Sequence, residues 1–188
     1  MSFVKTFPDG ISRCSWVTSD QIYIDYHDQE WGNKVQGQRE LFEAICLEGF
    51  QAGLSWLTIL KRRPAFREAF SDFDLEIVAD FDSDKIEELA QNPAIIRNRA
   101  KIESAVKNAK IILDQKIDLT SLLWSFAPNP ATRLDSSFKW LVSTPESDLM
   151  SKELKRLGLS FVGSTTMHAL MQACGMVQDH APGCFRRP

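Results

Sequence analysis

The stretch ICLEGFQAGLSW, residues 45–56, sets a glutamate inside an apolar run and follows it with Gly49 and Gly53. A helix turns about 100° per residue, so Glu48, seven residues after Leu41 and three after Ile45, shares their face. Leu41, Phe42, Ile45 and Cys46 form the apolar stripe of a core-facing helix, while Glu40 and Glu43 fall toward solvent. A carboxylate on the buried side loses hydration and tends to hold its proton unless a cation or hydrogen-bond donors lie beside it. Two outcomes are open: the helix ends near residue 48 and Glu48 curls out to water at Gly49, or the carboxylate faces a ligand.

Trp16, Tyr23, Tyr26, Trp31 and Trp56 crowd the same third of the chain. Rings beside a carboxylate suit a flat, nitrogen-rich ligand, with the rings stacking and the carboxylate accepting from its N–H groups. A nucleobase fits that description, and stacking one on an aromatic side chain is worth roughly 1–3 kcal/mol. The same rings could equally be core, and for Trp31, Trp124 and Trp140 a core position is the expectation.

A second group lies at the two ends: Cys14 and His27 near one, His180 and Cys184 near the other, the latter pair spaced H-x₃-C. Two cysteines with two histidines make a closed tetrahedral set, the chemistry of structural zinc, which leaves no position for a catalytic water. Such an ion would pin the chain ends together. Lone cysteines and histidines carry little weight, however. Cys46 and Cys174 read as buried thiols and His168 as a packed histidine.

The elements that must position these residues are helical nearly throughout, as Ile102, Ala105, Val106, Ala109 and Leu113 illustrate. Helices are expected over 20–29, 38–48, 55–61, 64–70, 74–80, 84–91, 99–114, 119–125, 146–157 and 164–174, with no clear strand alternation. Thr144-Pro145 and Gly175 supply start and stop signals for the last two. The likeliest breaks fall near 32–38 and 126–138, so two lobes of one all-α unit are expected rather than separable domains. Residues 84–114 read as helix, tight turn and longer helix, which either is a helix-hairpin-helix, able to hold a phosphate near Arg97, Arg99 or Lys101, or is an ordinary helical hairpin. The glycine-rich turn usual in the former is missing.

At 188 residues, 44% hydrophobic and 25% charged, the chain can bury a sizeable core. A net charge of −3 and a pI near 5.7 argue against an extended nonspecific coating of nucleic acid, though not against a local basic surface. No apolar run approaches the roughly 20 residues of a membrane span, and MSFVKTFPDGISR lacks the pattern of a signal peptide. A soluble, intracellular, cytoplasmic protein with no membrane partner is expected.

Taken in order and spacing, RCSWV, YHDQEWG, LFEAICLEGFQAGLSW, IIRNRAKI, LWSF, FVGSTT and MQACGMVQDH resemble the bacterial DNA-3-methyladenine glycosylase I family over about residues 12–184. Residues 1–11 look like an extension atypical of that family, with 12–188 as a single catalytic unit. The resemblance implies an all-α, two-lobed helix-hairpin-helix glycosylase fold, removal of 3-methyladenine from alkylated double-stranded DNA, and one structural zinc ion clipping the termini. It further implies that Cys14, His27, His180 and Cys184 bind the zinc, that Glu48 and Tyr26 hydrogen-bond the extruded base, that Trp56 stacks on it, and that Trp16 and Tyr23 wall the pocket. Leu54, beside Gly53, would wedge into the duplex, and the turn at 95–101, with Arg97, Arg99 and Lys101, would grip the backbone. The family lacks the aspartate that most helix-hairpin-helix glycosylases use, and Asp114 is given no role. A monomer acting near the nucleoid and releasing free 3-methyladenine is the expectation. The chief rival is a non-catalytic reader of alkylated DNA; a zinc metallohydrolase and a zinc-stapled interaction module are weaker ones.

Overall fold

A computed structural model of the chain describes residues 2–129 and 138–187. Among them the fold is mostly helical, with α1 (Gln21–Gln29), α2 (Gln38–Gln51), α3 (Trp56–Ala69), α4 (Leu75–Ala79), α5 (Ser83–Gln91), α6 (Arg99–Asp114), α7 (Leu119–Trp124), α8 (Pro145–Arg156) and α9 (Ser164–Ala173). Among the described residues no helix is long and apolar enough to cross a membrane.

The helix at the centre is α2, which packs against α3, α6, α7 and α9. Leu41, Phe42, Ile45 and Phe50 are buried along it, and burying each contributes roughly 1.5–3 kcal/mol. That sum fixes the roll of the helix, and with it the direction of Glu48. The main core closes around these residues with Phe66, Phe70 and Phe73 from α3 and the turn after it. A second, smaller cluster joins the chain ends, where Cys14, Val17, Tyr26, Trp31, Leu60, Ala181 and Cys184 pack together.

Three features depart from the sequence reading. The helix carrying Glu48 continues to Gln51 rather than ending at 48, so Gly49 is no exit to water. Residues 55–61 and 64–70 are one helix that runs through Pro64, because Leu60, Phe66 and Ala69 bury on either side of it and outweigh one lost backbone bond. Finally, β1 (Val4–Thr6) pairs antiparallel with β2 (Ser12–Cys14), Val4 opposite Cys14, where no strand was expected. Three-residue strands are too short to show alternation. Most of the expected break at 126–138 lies outside the described residues.

Local signals hold where capping chemistry is strong. Thr144 and Ser147 form a reciprocal capping box at the start of α8, with Pro145 in the first turn. Asn98 caps α6 by accepting from the Lys101 amide at 3.2 Å. α5 and α6 form the helical hairpin read from the sequence, and its turn is tied to α3 by Arg62, which donates to the carbonyls of Pro93 and Ala94.

Candidate active site

Glu48 is only 5% exposed. Burial pushes its pKa up from 4.5 to about 8, and no group among the described residues donates a hydrogen bond to it. The carboxyl lies on a cavity of about 300 Å³ walled by Trp16, Tyr23, Tyr26 and Trp56. Tyr26 and Trp56 meet with centroids 5.4 Å apart and Trp16 and Tyr23 at 5.1 Å, so the walls are pairs of tilted rings. Burial and the neighbouring Glu48 hold both tyrosine hydroxyls protonated, Tyr26 most strongly. Among the described residues the buried Trp56 indole N–H has no partner. A buried acid with no donor, on a ring-lined cavity, is expensive unless a ligand uses it.

The structure thus brings together the five residues expected to meet a base, and it adds six. Trp31, in the core as expected, and the half-buried Trp140 line the same cavity, as do Gln51, Leu141, Ala169 and Gln172. Gln51 was legible, since it stands three residues after Glu48 on the same helical face. Trp140 carried no sequence signal and arrives only through the tertiary fold.

Leu54 stands at a loop tip, 42% exposed. Gly53 before it has φ +83°, a left-handed conformation that nearly any side chain would strain, and open space around its Cα. Ser55 then caps α3 through the Thr58 amide. Arg97 and Arg99 are exposed at the N-terminal end of α6, with Arg99 paired to Glu87 and, at 3.6 Å, to Glu103.

Lys101, grouped with them as a phosphate contact, is instead turned inward. It is 8% exposed, and its Nζ donates to the carbonyls of Phe50 at 2.9 Å and Ala52 at 2.7 Å. Those carbonyls end α2 and lack intrahelical donors, so a buried cation is favourable there. Lys101→Met should lower the unfolding free energy by about 1.5–3 kcal/mol, the value of charge-assisted bonds, as read by urea denaturation.

At the chain ends, donor atoms of Cys14, His27 and Cys184 lie within 4.8 Å of one another, all buried. Cys184 Sγ and His27 Nε2 are 3.4 Å apart, close to the roughly 3.5 Å that tetrahedral zinc bonds of about 2.1 and 2.3 Å imply. The fourth expected ligand, His180, stands beside them, its ring 5.2 Å from that of His27 and its buried Nε2 without a partner among the described residues. Both Nδ1 atoms face acceptors, His27 on Asp28 at 2.7 Å and His180 on Gln178 at 2.7 Å. This fixes the tautomers and leaves each Nε2 lone pair for a metal. Arg13 in turn clamps Asp28 through Nε and Nη2. A hydrogen bond from the Cys14 thiol lowers the Cys184 pKa and favours its thiolate. The donor set fits a structural zinc ion. Trp31 joins the two sites, its ring 5.1 Å from Trp16 and 4.6 Å from His180.

A family model described as methyladenine glycosylase matches residues 16–187. The DNA-3-methyladenine glycosylase 1 of Escherichia coli (strain K12) is 42% identical over 183 residues, 95% of this chain and 98% of that protein. A crystal structure of a 3-methyladenine DNA glycosylase I superposes with a TM-score of 0.86 at 44% identity, over 94% of this chain and 100% of that one. A second such structure, a variant in complex with 3-methyladenine, gives 0.85 at 33% identity, over 94% and 97%.

Proposed function

Because the chain belongs to the methyladenine glycosylase family, we infer that it is a DNA repair enzyme that hydrolyses the N-glycosidic bond of 3-methyladenine in alkylated DNA. The observation that carries the reading at residue level is Glu48, buried and without a hydrogen-bond donor, on a cavity lined by aromatic rings.

The chemistry follows from that environment. Methylation at N3 gives the base in DNA a delocalised positive charge and makes it a good leaving group, so little acid catalysis is needed. Burial raises the Glu48 pKa to about 8 and so favours its neutral form near pH 7. A cationic base restores the carboxylate by supplying both charge and N–H donors; unmodified adenine supplies no charge and leaves the acid buried and unmatched. Tyr26 hydrogen-bonds the base, Trp56 stacks on it, and Trp16 and Tyr23 complete the walls. As the bond lengthens, positive charge moves from base to sugar, where DNA phosphates stabilise it and water attacks.

Reaching the base requires its extrusion from the duplex, at a cost of a few kcal/mol that is smaller for a damaged pair. Leu54 enters the gap, and glycine at 53 lets the backbone come close. Arg97, Arg99 and the turn before α6 grip phosphates in the manner of a helix-hairpin-helix, which reconciles DNA binding with an acidic chain. Cys14, His27, His180 and Cys184 hold one zinc ion, which ties the termini and supplies no chemistry to the reaction.

Release of free 3-methyladenine from methylated duplex, followed by chromatography, tests the reading. Binding to methylated DNA without release would leave the non-catalytic reader in place. Leu54→Ala should slow release from duplex by about tenfold, about 1.4 kcal/mol and so part of the few kcal/mol that unstacking costs, while the affinity for free base stays the same.

A further inference from the structure

We propose that Phe161 is a second apolar contact to duplex DNA, presented beside Leu54 by one face of α6. The inference rests on the glycosylase reading, because it extends the surface that the substrate meets. Phe161 lies in the FVGSTT segment, between α8 and α9, for which the reaction above finds no use. Its side chain is 39% exposed and its φ is +56°. A bulky residue in the left-handed region is strained, and water offers an exposed ring nothing in return. The conformation persists because the surroundings impose it.

Those surroundings are explicit. The Ser160 amide donates to Asn108 Oδ1 at 2.9 Å, and Asn108 Nδ2 donates back to the Ser160 carbonyl at 3.1 Å. The Ser104 hydroxyl lies 2.9 Å from that of Ser160. Ser104 and Asn108 are both buried, so this network is firm. One turn earlier on α6, Lys101 holds the Phe50 and Ala52 carbonyls at the root of the Leu54 loop. Residues 101, 104 and 108 repeat at helical spacing, so a single stripe of α6 brackets both loops.

The two supports are also in contact. A Cβ added at Gly49 would stand 3.3 Å from Phe161 Cβ and 3.6 Å from its carbonyl oxygen, so the segment rests directly on the last turns of α2. Two large apolar side chains, Leu54 and Phe161, therefore emerge from neighbouring loops fixed to α6, which begins at Arg99 just after Arg97. Duplex DNA suits that pair. Once a nucleotide leaves the stack, leucine fills the gap, and a flat ring beside it can lie on an adjacent unstacked base whatever its identity.

The test compares wild type with Phe161→Ala, Phe161→Tyr and Phe161→Gly for single-turnover release of 3-methyladenine from methylated duplex, for fluorescence-detected affinity for free 3-methyladenine, and for melting temperature. Phe161→Ala should lose about tenfold in release at subsaturating duplex, the lower range of a lost stacking contact, with free-base affinity unchanged. Phe161→Tyr should restore release. Phe161→Gly, which relieves the positive φ, should melt no lower than wild type and still lose release. Unchanged release in Phe161→Ala, a parallel loss of free-base affinity, or full release by Phe161→Gly would overturn the assignment. A wild-type chain that frees no base from any duplex overturns the reading beneath it, and the assignment with it.

Discussion

Glu48→Gln is expected to abolish most release of 3-methyladenine while making the folded chain more stable at alkaline pH. Glutamine keeps the shape but cannot become an anion, so it fails to match the charge of the cationic base; losing one such buried electrostatic partner costs about 10²–10³ in rate. Single-turnover excision at pH 7 measures this, and wild-type rates in the variant would remove Glu48 from the reaction. The stability effect follows from linkage. The folded pKa is near 8 and the ordinary value 4.5, so burial costs nothing below about pH 4.5. The cost grows as the unfolded chain ionises between about 4.5 and 8, and levels off above that. The full shift corresponds to roughly 5 kcal/mol as an upper bound. Thermal unfolding from pH 4 to 9 should show Glu48→Gln matching wild type at the acid end and exceeding it at the alkaline end. A constant offset across that range would mean that the carboxyl finds a partner in solution.

Removal of the proposed zinc ion should have the second large effect, on stability and on the aromatic wall rather than on any chemical step. Zinc in small peptide domains contributes on the order of 10–16 kcal/mol, but this chain has a separate core built on α2 and α3, so a loss of a few kcal/mol is expected. At about 2–4 °C per kcal/mol for a domain of this size, the melting temperature should fall by on the order of 10 °C on chelation. Elemental analysis should find one zinc per chain. Cys184→Ser should melt like the chelated protein and show no further loss when chelator is added. Because Trp31 contacts both His180 and Trp16, tryptophan fluorescence should change with the metal. A chain that carries no zinc and melts identically with chelator would show that the cluster is only a buried thiol–imidazole packing.

Both expectations began in the order of the residues. The stripe of Leu41, Phe42 and Ile45 gives Glu48 their face of the helix, and the spacing of Cys14, His27, His180 and Cys184 suggests a closed ligand set; the long motifs carry the family. Helix positions followed because period and caps are local properties, as at Thr144 and Asn98. What the tertiary structure decided were questions of competition between distant parts. Whether α2 stops at 48 or runs on to 51 depends on Phe50 finding Phe66 and Phe70 across the core, and that settles whether Glu48 reaches water. Lys101 reads as one more surface cation until the end of α2 offers two bare carbonyls within its reach. Trp31 is core as its sequence suggests, yet it and the half-buried Trp140 also line the cavity beside Glu48, which only the packing of distant elements creates. Periodicity gives each side chain a face, but the free energy of a buried charge or an exposed ring is set by whatever non-local neighbour stands against that face.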